Sequence, residues 1–123
     1  MKFMIDSSVW LAYFQGQDVR VRDIIETHEC HTSIIAVAEV ADHCTRINLD
    51  PELLIEFISS HATIHDLSPK MSVLASRIKM EQRKKKKKFG LADGLHLASA
   101  QTIGIPFVTL DSDFSGCKGV KLL

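Results

Sequence analysis

Residues 2–14, KFMIDSSVWLAYF, decide how the rest of the chain is read. Lys2 to Ile5 is a short apolar run of the kind that forms a buried strand. It stops at Asp6-Ser7-Ser8, side chains that cap helices by accepting hydrogen bonds from free backbone N–H groups. A helix begun there buries Val9, Trp10, Leu11, Tyr13 and Phe14, and Gly16 ends it. A strand running directly into a capped helix is the opening of a βαβ unit, so the chain downstream is expected to supply parallel strands.

It does so in sequence. A second amphipathic segment, Val19 to Thr27, places Val21, Ile24 and Ile25 on one face. His31-Thr32-Ser33 reads as a very short strand followed by a helix from Ile34 to Arg46, with Val37, Val40, Ala41, Cys44 and Ile47 as its buried stripe. Asp50-Pro51 starts the next helix, its proline at the first helical position, with Leu53, Leu54, Phe57 and Ile58 inward. Thr63 to His65 is a strand. Ser68-Pro69 opens a helix that turns Met71, Leu74, Ala75, Ile78 and Met80 inward and runs into the basic stretch from Arg83 to Lys88. Leu91 to Ile103 is a further helix closed by Gly104, Ile105 to Leu110 a strand stopping at Asp111, and Val120 to Leu122 a last edge strand. Short apolar strands alternating with helices imply an α/β layer structure with a mostly parallel sheet.

Open α/β sheets bind their ligands beyond the carboxyl ends of the strands. Asp6 and Asp111 stand directly at two such ends. Glu39 lies within two turns of a helix launched from a third, and Asp93 lies in the first turn of the helix leading to the fourth. Each has a plainer reading: Asp6 as an N-cap, Asp93 as a partner of a helix dipole, Glu39 as half of an exposed pair with His43 or Arg46, and Asp111 with Asp113 as a turn. Against these, Asp93 and Glu39 sit in stretches so apolar, LADGLHLASA and SIIAVAEVA, that a lone carboxylate there is costly. Clustered carboxylates repel, and near neutral pH they take up protons or bind a cation. Hard oxygen ligands suit Mg²⁺ or Mn²⁺ and, through them, phosphodiester hydrolysis.

An acidic pocket repels nucleic acid, so a cationic element is expected beside it. The formal net charge of the 123 residues is zero, but residues 1–69 carry −7 and residues 70–123 carry +7. Arg83, Lys84, Lys85, Lys86, Lys87 and Lys88 form six consecutive bases just before Asp93. They read either as a solvated loop or, with the acid adjacent, as a contact for RNA phosphates.

Taken in order, Asp6 with Ser8 in MIDSSVWLAYF, Glu39 in SIIAVAEV, Asp93 in FGLADGLHLASA and Asp111 in FVTLDSDF resemble the four motifs of the PIN-domain family over nearly the whole chain. At this length the chain is similar to the VapC-like ribonuclease toxins of toxin–antitoxin modules. The resemblance implies a three-layer α/β/α sandwich over residues 1–123 as one domain. It implies a Mg²⁺- or Mn²⁺-dependent endoribonuclease, dimeric and silenced by a small antitoxin. Asp6, Glu39, Asp93 and Asp111 would hold metal, with Asp113 in reserve for Asp111. Ser8 and Thr109 would support them by hydrogen bonding. Gly94 departs from the alanine common after the third acid and is expected to loosen that helix start.

Two other readings are weaker. An aspartyl-phosphate phosphatase places a second acid two residues after the first, and here that residue is Ser8. A PIN-like fold kept as an inactive RNA- or protein-binding module is expected to have lost its acids, whereas this set is complete. Three widely spaced cysteines fit reduced thiols, and His28, Cys30, His31, His43 and Cys44 lack zinc-site spacing. With neither a secretory signal nor an apolar run of membrane-spanning length, a soluble cytoplasmic protein without membrane contact is expected.

Overall fold

The computed structural model describes residues 1–123. The strands are β1 (Lys2–Ile5), β2 (Glu29–Ser33), β3 (Ala62–His65), β4 (Phe107–Thr109) and β5 (Val120–Leu122). The helices are α1 (Ser7–Gln15), α2 (Val19–Thr27), α3 (Ile34–Arg46), α4 (Pro51–His61), α5 (Pro69–Arg83) and α6 (Leu91–Ile103), with a single 3₁₀ turn at Ser112–Phe114. The helix starts are set locally. Asp6, Asp18, Ser33, Asp50 and Ser68 each accept a backbone N–H of the helix that follows, and Gly16 closes α1 in the left-handed region at φ 72°.

The five strands form one sheet in the order β3-β2-β1-β4-β5, and every pairing is parallel, not merely most of them. Strand side chains alternate between its faces. Phe3, Ile5 and Val108 join the core built from α1 to α4, while Met4 and Phe107 join the one built from α6, Phe89 and Phe114. The result is the three-layer α/β/α sandwich. The chain leaves β1 toward β2 but leaves β4 toward β5, so the crossovers diverge between β1 and β4. A crevice therefore opens at the carboxyl ends of those two strands.

Several inward assignments fail for geometric reasons. Ile47 is 51% exposed because it is the non-helical residue ending α3, so the stripe stops at Cys44. Leu53 is 65% exposed, since Leu54, Phe57 and Ile58 already define the inner face of α4. Met80 is 74% exposed because it stands about 200° around α5 from Ile78. Leu11, Tyr13 and Phe14 pack on the core only in part. The fourth strand is trimmed to Phe107–Thr109. None of the helices is long and apolar enough to cross a membrane.

Gly94 does not loosen α6. A Cβ built there would lie 2.5 Å from the Ala75 carbonyl oxygen, so glycine is what lets α5 and α6 cross closely.

Candidate active site

Asp6 ends β1 and is 4% exposed. Its Oδ1 accepts the Ser7 N–H at 2.8 Å, and its Oδ2 accepts both Ser8 Oγ (2.8 Å) and Thr109 Oγ1 (2.7 Å). The same two hydroxyls receive the N–H groups of Leu110 (3.1 Å) and Asp111 (2.9 Å). Ser8 and Thr109 thus stitch the end of β1 to the end of β4 and aim the Asp111 segment at the crevice. A buried carboxylate with this many donors is fixed in place, since each charge-assisted bond is stronger than a neutral one.

Glu39 projects from α3, whose first turn is held by Ser33 at the end of β2. Its Oε1 accepts Ser7 Oγ at 3.1 Å and His96 Nε2 at 2.6 Å. His96, 2% exposed, stacks on Phe107 with ring centroids 5.5 Å apart and lies 3.8 Å from Asp6 Oδ1. Asp6, Glu39 and His96 present ligating atoms all within 4.8 Å of one another. Burial alone pushes the Glu39 carboxyl up. The bond and charge of His96, with the Ser7 hydroxyl, outweigh it and hold Glu39 below the ordinary carboxylate range. For His96 burial opposes charge, yet the bond to Glu39 and the negative charges of Asp6, Glu39 and Asp93 leave it above the ordinary imidazole range.

Asp93 sits in the first turn of α6 and accepts the Gly90 N–H on Oδ2 at 2.7 Å. This is half a capping box, because Gly90 has no side chain to return the bond. Burial raises the Asp93 carboxyl above its usual range, opposed by the Gly90 bond and His96 and reinforced by the nearby charges of Asp111 and Asp113. Asp111 accepts the Asp113 N–H at 2.9 Å and so caps the 3₁₀ turn, while Asp113 itself is exposed. Of the four sequence-predicted acids, the structure brings Asp6 and Glu39 together with His96, while Asp93 and Asp111 lie outside that cluster.

No hydrogen bond from the protein reaches Glu39 Oε2, Asp93 Oδ1 or Asp111 Oδ2. Carboxylate oxygens without protein partners beside a crevice suit a hard divalent cation. From Glu39 a groove continues along α3 past Asp42, His43 and Arg46, lined also by Ser7 and Ala92. His28, Cys30, His31, His43 and Cys44 bring no three ligating atoms together. All three cysteines are free and buried, and burial pushes the Cys30 thiol up to about 11.

The basic run divides in two. Arg83 Nε donates to the Phe89 carbonyl at 2.5 Å, and Lys86 Nζ donates to the carbonyls of Asp113 (2.8 Å) and Ser115. Lys84 pairs with Glu81 at the surface, while Lys85, Lys87 and Lys88 are exposed.

The residues that sequence reasoning missed are His96 and Ser7. His96 follows Asp93 by three positions and so shares its helix face. That spacing was the available signal. Ser7 had none beyond its place beside Asp6.

Comparison with known proteins bears on the whole chain. The family model for the PIN domain matches residues 3–119. Among solved structures, a toxin–antitoxin complex from Klebsiella pneumoniae has a chain 20% identical to this one, with a TM-score of 0.76 over 98% of this chain and 96% of that one. VapBC2 from Rickettsia felis, bound to a promoter DNA fragment, is 16% identical with a TM-score of 0.78 over 100% and 98%. The sarcin–ricin loop cleaving toxin VapC20 of Mycobacterium tuberculosis is 18% identical with a TM-score of 0.76 over 99% and 98%. These likenesses establish a shared fold. No curated protein sequence matches the chain significantly.

Proposed function

The chain belongs to the PIN-domain family, and from that premise we propose that it is a divalent-metal-dependent endoribonuclease, the toxin of a toxin–antitoxin pair. The observation carrying the reading is the cluster of Asp6 and Glu39 with His96, whose ligating atoms lie within 4.8 Å of one another at the end of β1; Asp93 in the first turn of α6 and Asp111 after β4 are proposed to complete the site. Asp6, Glu39, Asp93 and Asp111 would hold Mg²⁺ or Mn²⁺, with Asp113 the exposed reserve. These residues would hold the ion, which when bound would supply a water of lowered pKa and neutralise charge on the phosphate and its leaving oxygen.

The protein's share of the work is to hold the acids still. Ser8 and Thr109 hold Asp6, Ser7 bridges Asp6 and Glu39, and the Gly90 N–H orients Asp93. Lys84, Lys85, Lys87 and Lys88 are placed at the surface to meet flanking RNA phosphates. Arg83 and Lys86 shape the loop that carries them.

The mycobacterial relative of the same fold is described as cleaving the sarcin–ricin loop, which supports RNA as the substrate class. The Klebsiella and Rickettsia relatives are toxin–antitoxin complexes, which supports a cognate antitoxin for this chain. A homodimer is carried over from the family resemblance alone.

The test is cleavage of a labelled single-stranded RNA. Activity with Mg²⁺ or Mn²⁺ that EDTA abolishes is expected. Cleavage indifferent to EDTA, or none with any divalent ion on a panel of RNAs, refutes the reading.

A further inference from the structure

His96 lies in the same motif as Asp93 but was given no role there, yet both its ring nitrogens are engaged. Nε2 meets Glu39 Oε1 at 2.6 Å, and Nδ1 meets the Ser33 hydroxyl at 3.4 Å. Phe107 stacks on the ring, and Phe114 meets it edge-on with centroids 6.5 Å apart. The ring is therefore clamped between the core under β4 and the start of α3. Ser33 also caps α3, the helix that carries Glu39, so one side chain on α6 ties down both the base of that helix and its functional carboxylate.

The partner fixes the ring's proton. An ionised carboxylate only accepts hydrogen bonds, so Nε2 must carry the hydrogen whether the imidazole is neutral or charged. A nitrogen that carries hydrogen has no lone pair for a metal. The 3.8 Å separation from Asp6 Oδ1 is too long for a second hydrogen bond, so Glu39 alone takes that hydrogen. Both contacts to Glu39, from His96 and from Ser7, fall on Oε1, which leaves Oε2 open.

We propose that His96 is a positioning residue and not a ligand: its Nε2–H holds Oε1 of Glu39 and so leaves Oε2 free for a cation that an all-oxygen site would hold. The inference rests on the metal-dependent reading above and deepens it. It separates His96 from the acids it touches, although distance alone would group them.

Two measurements test it. In metal-free, ¹⁵N-histidine-labelled protein, long-range proton–nitrogen correlation spectra report which ring nitrogen carries hydrogen. Hydrogen on Nε2 of His96 is expected, and a ring protonated only at Nδ1 overturns the proposal. With Mn²⁺ added, pulsed electron paramagnetic resonance should show no coupling to a directly bound ring nitrogen. Such a coupling, lost in His96→Gln, makes His96 a ligand and also overturns it.

Variants give the functional readout. His96→Leu should weaken Mn²⁺ binding by about 10- to 100-fold, as loss of a group orienting a metal ligand does. His96→Gln, whose amide N–H can reach Glu39, should recover most of that affinity, whereas a purely structural role would not distinguish the two. Unchanged Mn²⁺ affinity in a folded His96→Leu protein contradicts the proposal. The ring-proton result is obtained without metal, so an Nδ1 proton removes the role of His96 and leaves the nuclease reading standing. Failure of the wild type to bind Mn²⁺ removes both.

Discussion

Gly94 of α6 and Ala75 of α5 are in backbone contact: a side chain at 94 would place its first carbon 2.5 Å from the Ala75 carbonyl oxygen and 3.3 Å from the carbonyl carbon. Neither position can yield cheaply, because both are helix backbone. Small residues at the crossing, Gly94, Ala75 and Ala98, bring α6 close against α5 and so set where Asp93 and His96 stand.

Gly94→Ala should therefore destabilise the protein by about 1–3 kcal/mol, as overpacking does, despite alanine's better helix propensity. Urea unfolding followed by circular dichroism measures it. A stabilised variant would mean that the crossing relaxes freely.

Thr109→Val removes one donor from the buried Asp6 carboxylate and the acceptor for the Asp111 N–H, with almost no change of shape. Hydrogen bonds to charged groups contribute about 1.5–3 kcal/mol, and a loss in that range is expected by urea unfolding. Cleavage should fall as well, because Asp6 and Asp111 lose their shared tether. Wild-type stability together with wild-type activity would deny Thr109 that role.

The caps and strand-to-helix transitions were legible in sequence because they are local. Asp6, Ser33, Asp50 and Ser68 act within three residues of themselves, and the start of α3 and the end of α6 at Gly104 were marked by such local signals. Asp6 and Asp111 could be assigned to strand ends for the same reason, and Glu39 and Asp93 to early turns of helices. What escaped depends on distant partners. Leu53 and Met80 are as apolar as their buried neighbours, and only the packing of α4 and α5 shows that they face out. Lys86 looked like one of six equivalent bases, but its acceptors lie 27 and 29 residues away. His96 stood alone in an apolar helix, and its partner is 57 residues distant.

The lysine run should accordingly behave as two classes. Changing Lys84, Lys85, Lys87 and Lys88 to alanine should weaken RNA binding and reduce its dependence on the logarithm of salt concentration by about 0.7 for each phosphate that is no longer neutralised. Lys86→Ala should instead loosen the turn carrying Asp113, seen as faster amide exchange at Ser112 to Ser115. Equal effects of all five lysines on RNA affinity, with no change in exchange, would contradict the division.

Stability of the EDTA-treated protein should depend on pH through Glu39 and His96. Glu39 is held below its ordinary range, so its contribution is present above about 4.5 and fades as pH falls through its lowered folded value. His96 is held above its ordinary range, so its contribution is full below about 6.5 and fades as pH rises through its raised folded value. The pair thus favours a window between those two limits. Asp93 works the other way: its raised carboxyl takes up a proton more readily in the folded state, which partly offsets the acid-side loss. In thermal melts across pH 4 to 9 the advantage of wild type over His96→Gln should be largest below about 6.5, where the imidazolium is present, and should shrink as pH rises through the raised folded value. Superimposable profiles would show that the His96 charge contributes nothing.

Side chains from four distant segments are proposed to share one cation. Calorimetric titration of Mn²⁺ into the wild type and into Asp6→Asn, Glu39→Gln, Asp93→Asn and Asp111→Asn tests this most directly, because each change removes a charge with little change of shape. Saturable binding by the wild type and weaker binding by every variant are expected, with each variant still folded. Wild-type affinity in Asp93→Asn or Asp111→Asn would show that the acids do not act as one site.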